Sequence, residues 1–465
     1  MVDPAEGSSL EDPNAPTREQ LECWDREHVW HAFTQMAEYE PLLIERAAGC
    51  TLVDIDGNQY LDGVSSLWCN VHGHRHPRID KAIRAQLDKV AHTTLLGASN
   101  STTIQLARRL VELTPSGLEH VFFCSDGSSS VEVALKMAFQ YWQQRENPRP
   151  RKTRFVALGD AYHGDTLGSV SVGGVARFHA MFDPLLFDCL RVPAPLVYRA
   201  AANAPRERLA EYYLQEVEKL LAAQRDEIAA LVVEPLVQAA AGMLVHPPGF
   251  LRGLRELTRR HEVLLIADEV AVGFGRTGRL FACEHENVSP DFLCLGKGLT
   301  GGYLPMAATL TTGEVWRAFL GPHAAGRQLF HGHTYSGNAL AAAAALASLE
   351  VFDEEQVLAR LGPKMERLAA HLSRIAEHPH VGDVRQCGLI AGVELVRDRQ
   401  TQEPYPWEQQ RGMAVCRHAR SEGVLLRPLG NVVAIMPPLA ISLAELDRIC
   451  GAVERGIQQV TAGTF

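Results

Sequence analysis

The run Val263-Leu264-Leu265-Ile266-Ala267-Asp268-Glu269-Val270 decides how this chain is to be folded. Its first five residues are continuously apolar, as in a strand buried on both faces, and two carboxylates arrive where the apolar run stops. Burial on both faces marks a strand inside a helix-covered parallel sheet. A second stretch, Asp291-Phe292-Leu293-Cys294-Leu295-Gly296-Lys297-Gly298-Leu299-Thr300-Gly301-Gly302, brings Lys297 between two glycines at the end of another short apolar run.

Working outward, helix and strand patterns alternate from about residue 100 to 310. Ile104, Ala107, Leu110 and Val111 mark one face of a helix, 120–124 reads as a strand, 128–144 as a helix and 155–158 as a strand. Residues 206–224 are helical, 229–233 a strand, 251–261 helical and 263–267 a strand. The alternation predicts an α/β fold whose large domain, 76–340, is built on a mainly parallel sheet. Short strands at Leu42-Leu43-Ile44 and Thr51-Leu52-Val53-Asp54, and the loss of clean alternation after about Ala341, assign 18–75 and 341–465 to a smaller α+β domain made from both chain ends. Residues 1–17, rich in Pro, Gly, Ser and acids, read as a flexible tail. The alanine-rich run at 339–347 reads as a small-residue helix.

With 465 residues, 46% of them apolar, two structural units are expected, and a formal charge of −10 with no long basic run argues against nucleic acid. No stretch reaches the roughly 18–20 apolar residues of a membrane span. The ten cysteines form no Cys-x-x-Cys pair, which fits reduced thiols in the cytoplasm better than zinc or a disulfide framework.

In a parallel sheet, ligands bind beyond the carboxyl ends of the strands, where Asp268 and Lys297 both fall. Taken singly, a glycine-flanked Lys is usually a solvated loop residue and an Asp at a strand end serves a turn. Together they are an amine able to form a Schiff base and an acid able to hold a pyridinium nitrogen, the pair that pyridoxal phosphate requires. Cys124-Ser125-Asp126-Gly127-Ser128-Ser129-Ser130 runs from a strand into a helix; its backbone N–H groups and hydroxyls suit a phosphate, against simple capping as the plainer account. In Ala161-Tyr162-His163-Gly164-Asp165-Thr166, Tyr162 offers a face to a flat ring. Gly273-Phe274-Gly275-Arg276-Thr277-Gly278 matches a dinucleotide fingerprint, but it follows two acids and opens no periodic helix, so it reads as a loop carrying Arg276 toward an ion pair or a substrate. His72, His74 and His76, like His331 and His333, lack a familiar metal spacing, so no metal is expected.

With these residues in place, the chain resembles the class III pyridoxal-phosphate aminotransferases from about Trp24 onward. The resemblance rests on the run from Asp268 to Gly278. Trp30-His31-Ala32-Phe33-Thr34-Gln35-Met36, Val71-His72-Gly73-His74, Ala134-Leu135-Lys136-Met137-Ala138-Phe139-Gln140-Tyr141-Trp142 and Arg427-Pro428-Leu429 are similar to the branch that aminates 8-amino-7-oxononanoate in biotin synthesis. The resemblance implies fold type I, pyridoxal 5'-phosphate as cofactor, and a cytoplasmic homodimer with active sites at the subunit interface. It implies Lys297 as the Schiff-base amine, Asp268 at the ring nitrogen, Gly127 and Ser128 at the phosphate, Tyr162 and Val270 on the two ring faces, and Thr334 reaching the phosphate in the partner subunit. Phe33, Leu67, Tyr162, Gly332 and Arg427 are the implied substrate set, with Arg427 on a carboxylate. S-adenosylmethionine-using members often carry Tyr and Trp where this chain has Phe33 and Leu67, and the run from His331 to Asn338 looks more like a branch with lysine-using members. S-adenosylmethionine is the leading donor, lysine the alternative; another ω-amine substrate and a nucleotide-binding protein remain as further readings.

Overall fold

The computed structural model describes residues 15–462. Most of the expected tail lies outside them, but Thr17 is ordered: its hydroxyl accepts from Gln20 N and the Gln20 side chain returns the bond, capping the helix Arg18–His28.

Seven strands form the central sheet, in the spatial order Leu118–Cys124, Ala307–Thr312, Phe292–Leu295, Leu264–Asp268, Ile228–Val233, Arg154–Leu158, Leu190–Val192. Every pairing from Phe292–Leu295 to Leu190–Val192 is parallel. Ala307–Thr312 alone runs antiparallel to both its neighbours. The reason is local: between Phe292–Leu295 and Ala307–Thr312 the chain makes only the short turn Lys297–Thr300, and a parallel return needs a crossover of a dozen or more residues. The long helix Gly127–Gln144 covers one face, burying Val131, Ala134, Leu135 and Ala138 against the strands.

Some boundaries and faces differ from the sequence reading. In the helix Ser101–Leu113 the buried stripe is Thr103, Leu106 and Leu110, while Ile104 is 57% exposed. The buried positions follow the i, i+3, i+7 geometry set by the docking face, which composition alone does not orient. The helix expected over 206–224 opens as a 3-10 turn, Arg206–Arg208, before Leu209–Gln224. The strand expected at residue 42 begins at Ile44 and runs to Ala48, paired with Thr51–Asp54.

The two chain ends meet in a four-stranded sheet, Ile44–Ala48, Thr51–Asp54, Gln59–Asp62 and Val424–Leu425, in which Leu61 pairs with Val424. A further sheet joins Val381–Cys387, Ile390–Asp398, Val432–Ile435 and Arg427–Leu429. The alanine-rich helix extends to Glu354 and is buried on most sides, its small side chains letting the helices Pro77–Leu87 and Ser101–Leu113 pack close.

Candidate active site

Asp268 is the last residue of its strand and pairs across the parallel ladder with Cys294, so Lys297 leaves the neighbouring strand at the same edge. Two more strands of the sheet also end there, one leading to Tyr162 and His163 and the other to Glu234. A cleft of about 160 Å³ opens at this edge, lined among others by Trp68, Gly127, Tyr162, His163, Asp268 and Lys297.

The Asp268 carboxylate is buried and held at both oxygens. Val270 N donates to Oδ1 at 3.0 Å, and Oδ2 lies 2.8 Å from Nδ1 of His163. A carboxylate only accepts, so the ring donates from Nδ1, and its buried Nε2 is left without a partner among the described residues. Glu234 is also buried and accepts from the N–H groups of Tyr162 and Ala239, both at 3.0 Å. Burial pushes the Glu234 carboxyl up to about 7, against the pull of His163 and with the repulsion of Asp268. Lys297 is held below the ordinary lysine range by burial, while Asp268 and Glu234 draw it back up. Its Nζ has no hydrogen-bond partner among the described residues and sits 5.5 Å from the centre of the Trp68 ring.

The opposite wall of the cleft is a helix start. Asp126, rather than a serine, is the N-cap: it accepts from Ser129 N and Ser129 Oγ at 2.9 and 2.8 Å, and Ser130 Oγ bonds back to Gly127 O. The Ser129 and Ser130 hydroxyls are thereby committed within the first turn, to Asp126 and to Gly127 O. The N–H groups of Gly127 and Ser128 find no acceptor among the described residues, and Ser128 Oγ accepts from Asp165 N at 3.1 Å. A Cβ on Gly127 would come within 2.5 Å of Val270 Cγ1, so only glycine fits against the valine that lines the cleft. A flat pyridine ring carrying a phosphate suits this set: a partnerless amine, a fixed carboxylate, a valine side chain and unpaired N–H groups at the positive end of a long helix.

Tyr162 lines the cleft, with its hydroxyl donating to Asp165 Oδ2 at 2.7 Å and its ring parallel to that of His179. Arg427, half-buried, has no carboxylate partner among the described residues, and its guanidinium lies 5.6 Å from the Phe33 ring centre. Phe33 in turn sets its edge on Phe178. Leu67 is exposed, and Gly332 and Thr334 lie on an exposed loop and do not line the cleft of their own chain. Arg276 corrects the reading of its loop. The side chain is buried and donates to backbone carbonyls, to Pro437 O and Asn70 O at 2.7 Å and to Trp68 O at 3.2 Å, so it makes no ion pair among the described residues and is not free for a substrate. The three nearby histidines part company too, His72 going to Ser348, His74 to Asp62 and His76 to Glu355.

His163, Glu234 and Trp68 went unrecognised in the sequence. Glu234 carried a usable signal, since like Asp268 it is an acid placed where a buried apolar run ends. His163 stands next to Tyr162 in the quoted motif, but nothing local shows that its ring turns toward a strand 105 positions away.

The profile of the family described as Aminotransferase class-III matches residues 34–457. A protein of Nitratidesulfovibrio vulgaris named adenosylmethionine-8-amino-7-oxononanoate aminotransferase is 55% identical over 444 residues, 95% of this chain and 82% of its own length. The crystal structure of an aminotransferase of that name from Methanocaldococcus jannaschii superposes with a TM-score of 0.90 at 43% identity, covering 95% of this chain and 99% of that one. An omega transaminase from Pseudomonas jessenii, solved in complex with PMP, has a TM-score of 0.90 at 33% identity over 95% of this chain and 98% of its own. With that profile spanning most of the sequence and relatives this similar along nearly all of it, the chain belongs to the class-III aminotransferases.

Proposed function

We propose that this chain is a pyridoxal-phosphate-dependent aminotransferase that converts 8-amino-7-oxononanoate to 7,8-diaminononanoate, a step of biotin synthesis, with S-adenosylmethionine as amino donor. The names of the similar proteins support the substrate and the donor. The observation that carries the chemistry is the partnerless amine of Lys297, facing the same cleft as the fixed carboxylate of Asp268.

When bound, pyridoxal phosphate supplies a carbonyl carbon that takes an amino group from the donor and passes it on, and a cationic ring that accepts the electron pair left when a proton departs. Lys297 Nζ is the amine that tethers the cofactor and, once displaced, the base that takes the donor's proton. Its lowered pKa leaves more neutral amine for that task near neutral pH. Asp268 keeps the ring nitrogen protonated, and the bond from His163 fixes the carboxylate's direction. Gly127 and Ser128 would hold the phosphate, Val270 and Tyr162 would hold the ring, and Thr334 of a second copy would complete the phosphate site in a homodimer. Arg427 takes the substrate carboxylate, because its fork is free and planar. A cytoplasmic setting is part of the same proposal; no helix among the described residues is long and apolar enough to cross a membrane.

Lysine is the second donor to be tested, because Phe33 lacks a hydroxyl and Leu67 lacks an aromatic ring. Incubating 8-amino-7-oxononanoate separately with S-adenosylmethionine and with lysine decides the donor: the diamine is expected with the first. Borohydride treatment and digestion of the holoenzyme should leave reduced cofactor on the 294–300 peptide; an unlabelled peptide would end the proposal.

A further inference from the structure

Ser65, Ser66, Leu67 and Trp68 have φ values of 51°, 47°, 74° and 67°, so four successive residues wind left-handed with no glycine among them. L-residues visit this region singly because Cβ crowds the following carbonyl, and a full turn of it is unfavourable at each step. The turn closes with Trp68 N donating to Val64 O at 2.7 Å and Cys69 N to Ser65 O at 3.0 Å. It is gripped from outside. Asp62, 0% exposed, accepts from Ser66 N at 2.9 Å and Ser66 Oγ at 2.8 Å, and its Oδ2 lies 2.9 Å from Nε2 of His74. Ser65 Oγ donates to Met436 O at 2.6 Å, and Arg276 holds Trp68 O at the far end.

The product of this grip is the position of Trp68, whose ring lines the cleft and lies 5.5 Å from the Lys297 amine. Its indole N–H is buried with no acceptor among the described residues. Backbone strain persists where surrounding structure over-determines it and the resulting geometry is used.

We propose that Asp62 is a positioning residue for the active site: by bonding both the amide and the hydroxyl of Ser66 it keeps the turn left-handed and so holds Trp68 against the reacting amine. The proposal rests on Lys297 being that amine. Removing the carboxylate frees Ser66 to return toward right-handed backbone, and the indole leaves the cleft.

Three proteins test this: wild type, Asp62→Ala, and Asp62→Ala combined with Ser66→Gly, in which glycine adopts positive φ without a Cβ. Asp62→Ala should raise KM for the amino acceptor about tenfold with a smaller change in kcat, and the added glycine should recover at least half of that loss. A second measurement uses full-length apoprotein, following reductive methylation of Lys297 against pH on the 294–300 peptide. With Trp68 displaced and water admitted, the midpoint should move up toward that of an ordinary lysine, and glycine should bring it back. Unchanged KM and midpoint in Asp62→Ala, or a loss that glycine does not relieve, overturns the proposal. If Asp62→Ala does not fold, Asp62→Asn, alone and with Ser66→Gly, is read by the same two criteria. A cofactor adduct on wild-type Lys297 keeps the functional reading intact whatever these variants do.

Discussion

The central sheet buries a lysine at each of its two edges, and the two have opposite fates. At the amino edge Lys152, 2% exposed, donates to the carbonyls of Arg225, Ile228 and Glu262 at 2.5, 3.0 and 2.8 Å, with its ammonium 4.5 Å from the centre of the Trp142 ring. At the carboxyl edge Lys297 also lies beside a tryptophan, yet its Nζ bonds to nothing among the described residues. An ammonium has three donors, so Lys152 is saturated and serves as a tie between strand starts. Lys297 is left with its donors unspent. What separates Lys152 from Lys297, the proposed reactive amine, is therefore the satisfaction of its nitrogen, since burial and an aromatic neighbour are common to both.

The same contrast runs through the carboxylates. Arg255 and Asp291 form a fork-to-fork pair that also ties Leu265 N, while Glu234, at the carboxyl edge, has no cation bonded to it among the described residues and stays poised near neutrality. One edge is closed by its bonds; the other holds groups whose charge is unsettled.

The comparison is broken most decisively at Lys297. Lys297→Ala should reduce transamination to background and abolish the visible absorbance of the bound cofactor, and a retained rate would make the two lysines equivalent after all. Next comes Asp268→Asn, which should still bind cofactor but turn over more slowly by about 3 kcal/mol, roughly a hundredfold, as for other lost charge interactions in a preorganised site. Steady-state kinetics on holoenzyme of known cofactor content reads this. Lys152→Met should do the reverse, lowering stability by about 3 kcal/mol because buried carbonyls lose their donor, while kcat per folded enzyme stays at the wild-type value. Denaturant melts paired with rate measurements check both halves.

The smallest effect is a slope. Glu234 titrates at about 7 in the fold against 4.5 when unperturbed, so between those values the folded state binds more protons than the unfolded one. Its contribution to stability is therefore most favourable below about 4.5 and declines as pH rises toward about 7. Glu234→Gln, which keeps an acceptor for Tyr162 N, should flatten that part of the apoprotein's profile of melting temperature against pH. A slope matching that of wild type would show that the acid is already ionised.

Lys297 and Asp268 could be read from the sequence because their signal is short-range: an apolar run that must be a buried strand, followed at once by a charged residue. The helix start at Gly127 was visible for the same reason, although three serines looked alike there and only the fold distinguishes Ser128, which faces the cleft, from Ser129 and Ser130, whose hydroxyls are spent on Asp126 and Gly127 O. Arg276 misled because a glycine-flanked arginine looks exposed, and its acceptors, Asn70 O and Pro437 O, come from distant parts of the chain. The left-handed turn at 65–68 had no sequence signature, since the residue that normally announces such backbone is absent from it.

By itself the sequence determined the alternation of strands and helices, and with it the sheet edge where chemistry would gather, because periodicity and strand ends are properties of neighbouring residues. Tertiary structure alone decided which polar groups at that edge are satisfied and which remain free. Hydrogen-bond satisfaction depends on atoms that meet from strands and loops far apart in the chain, as His163 meets Asp268 and as Ser65 meets Met436.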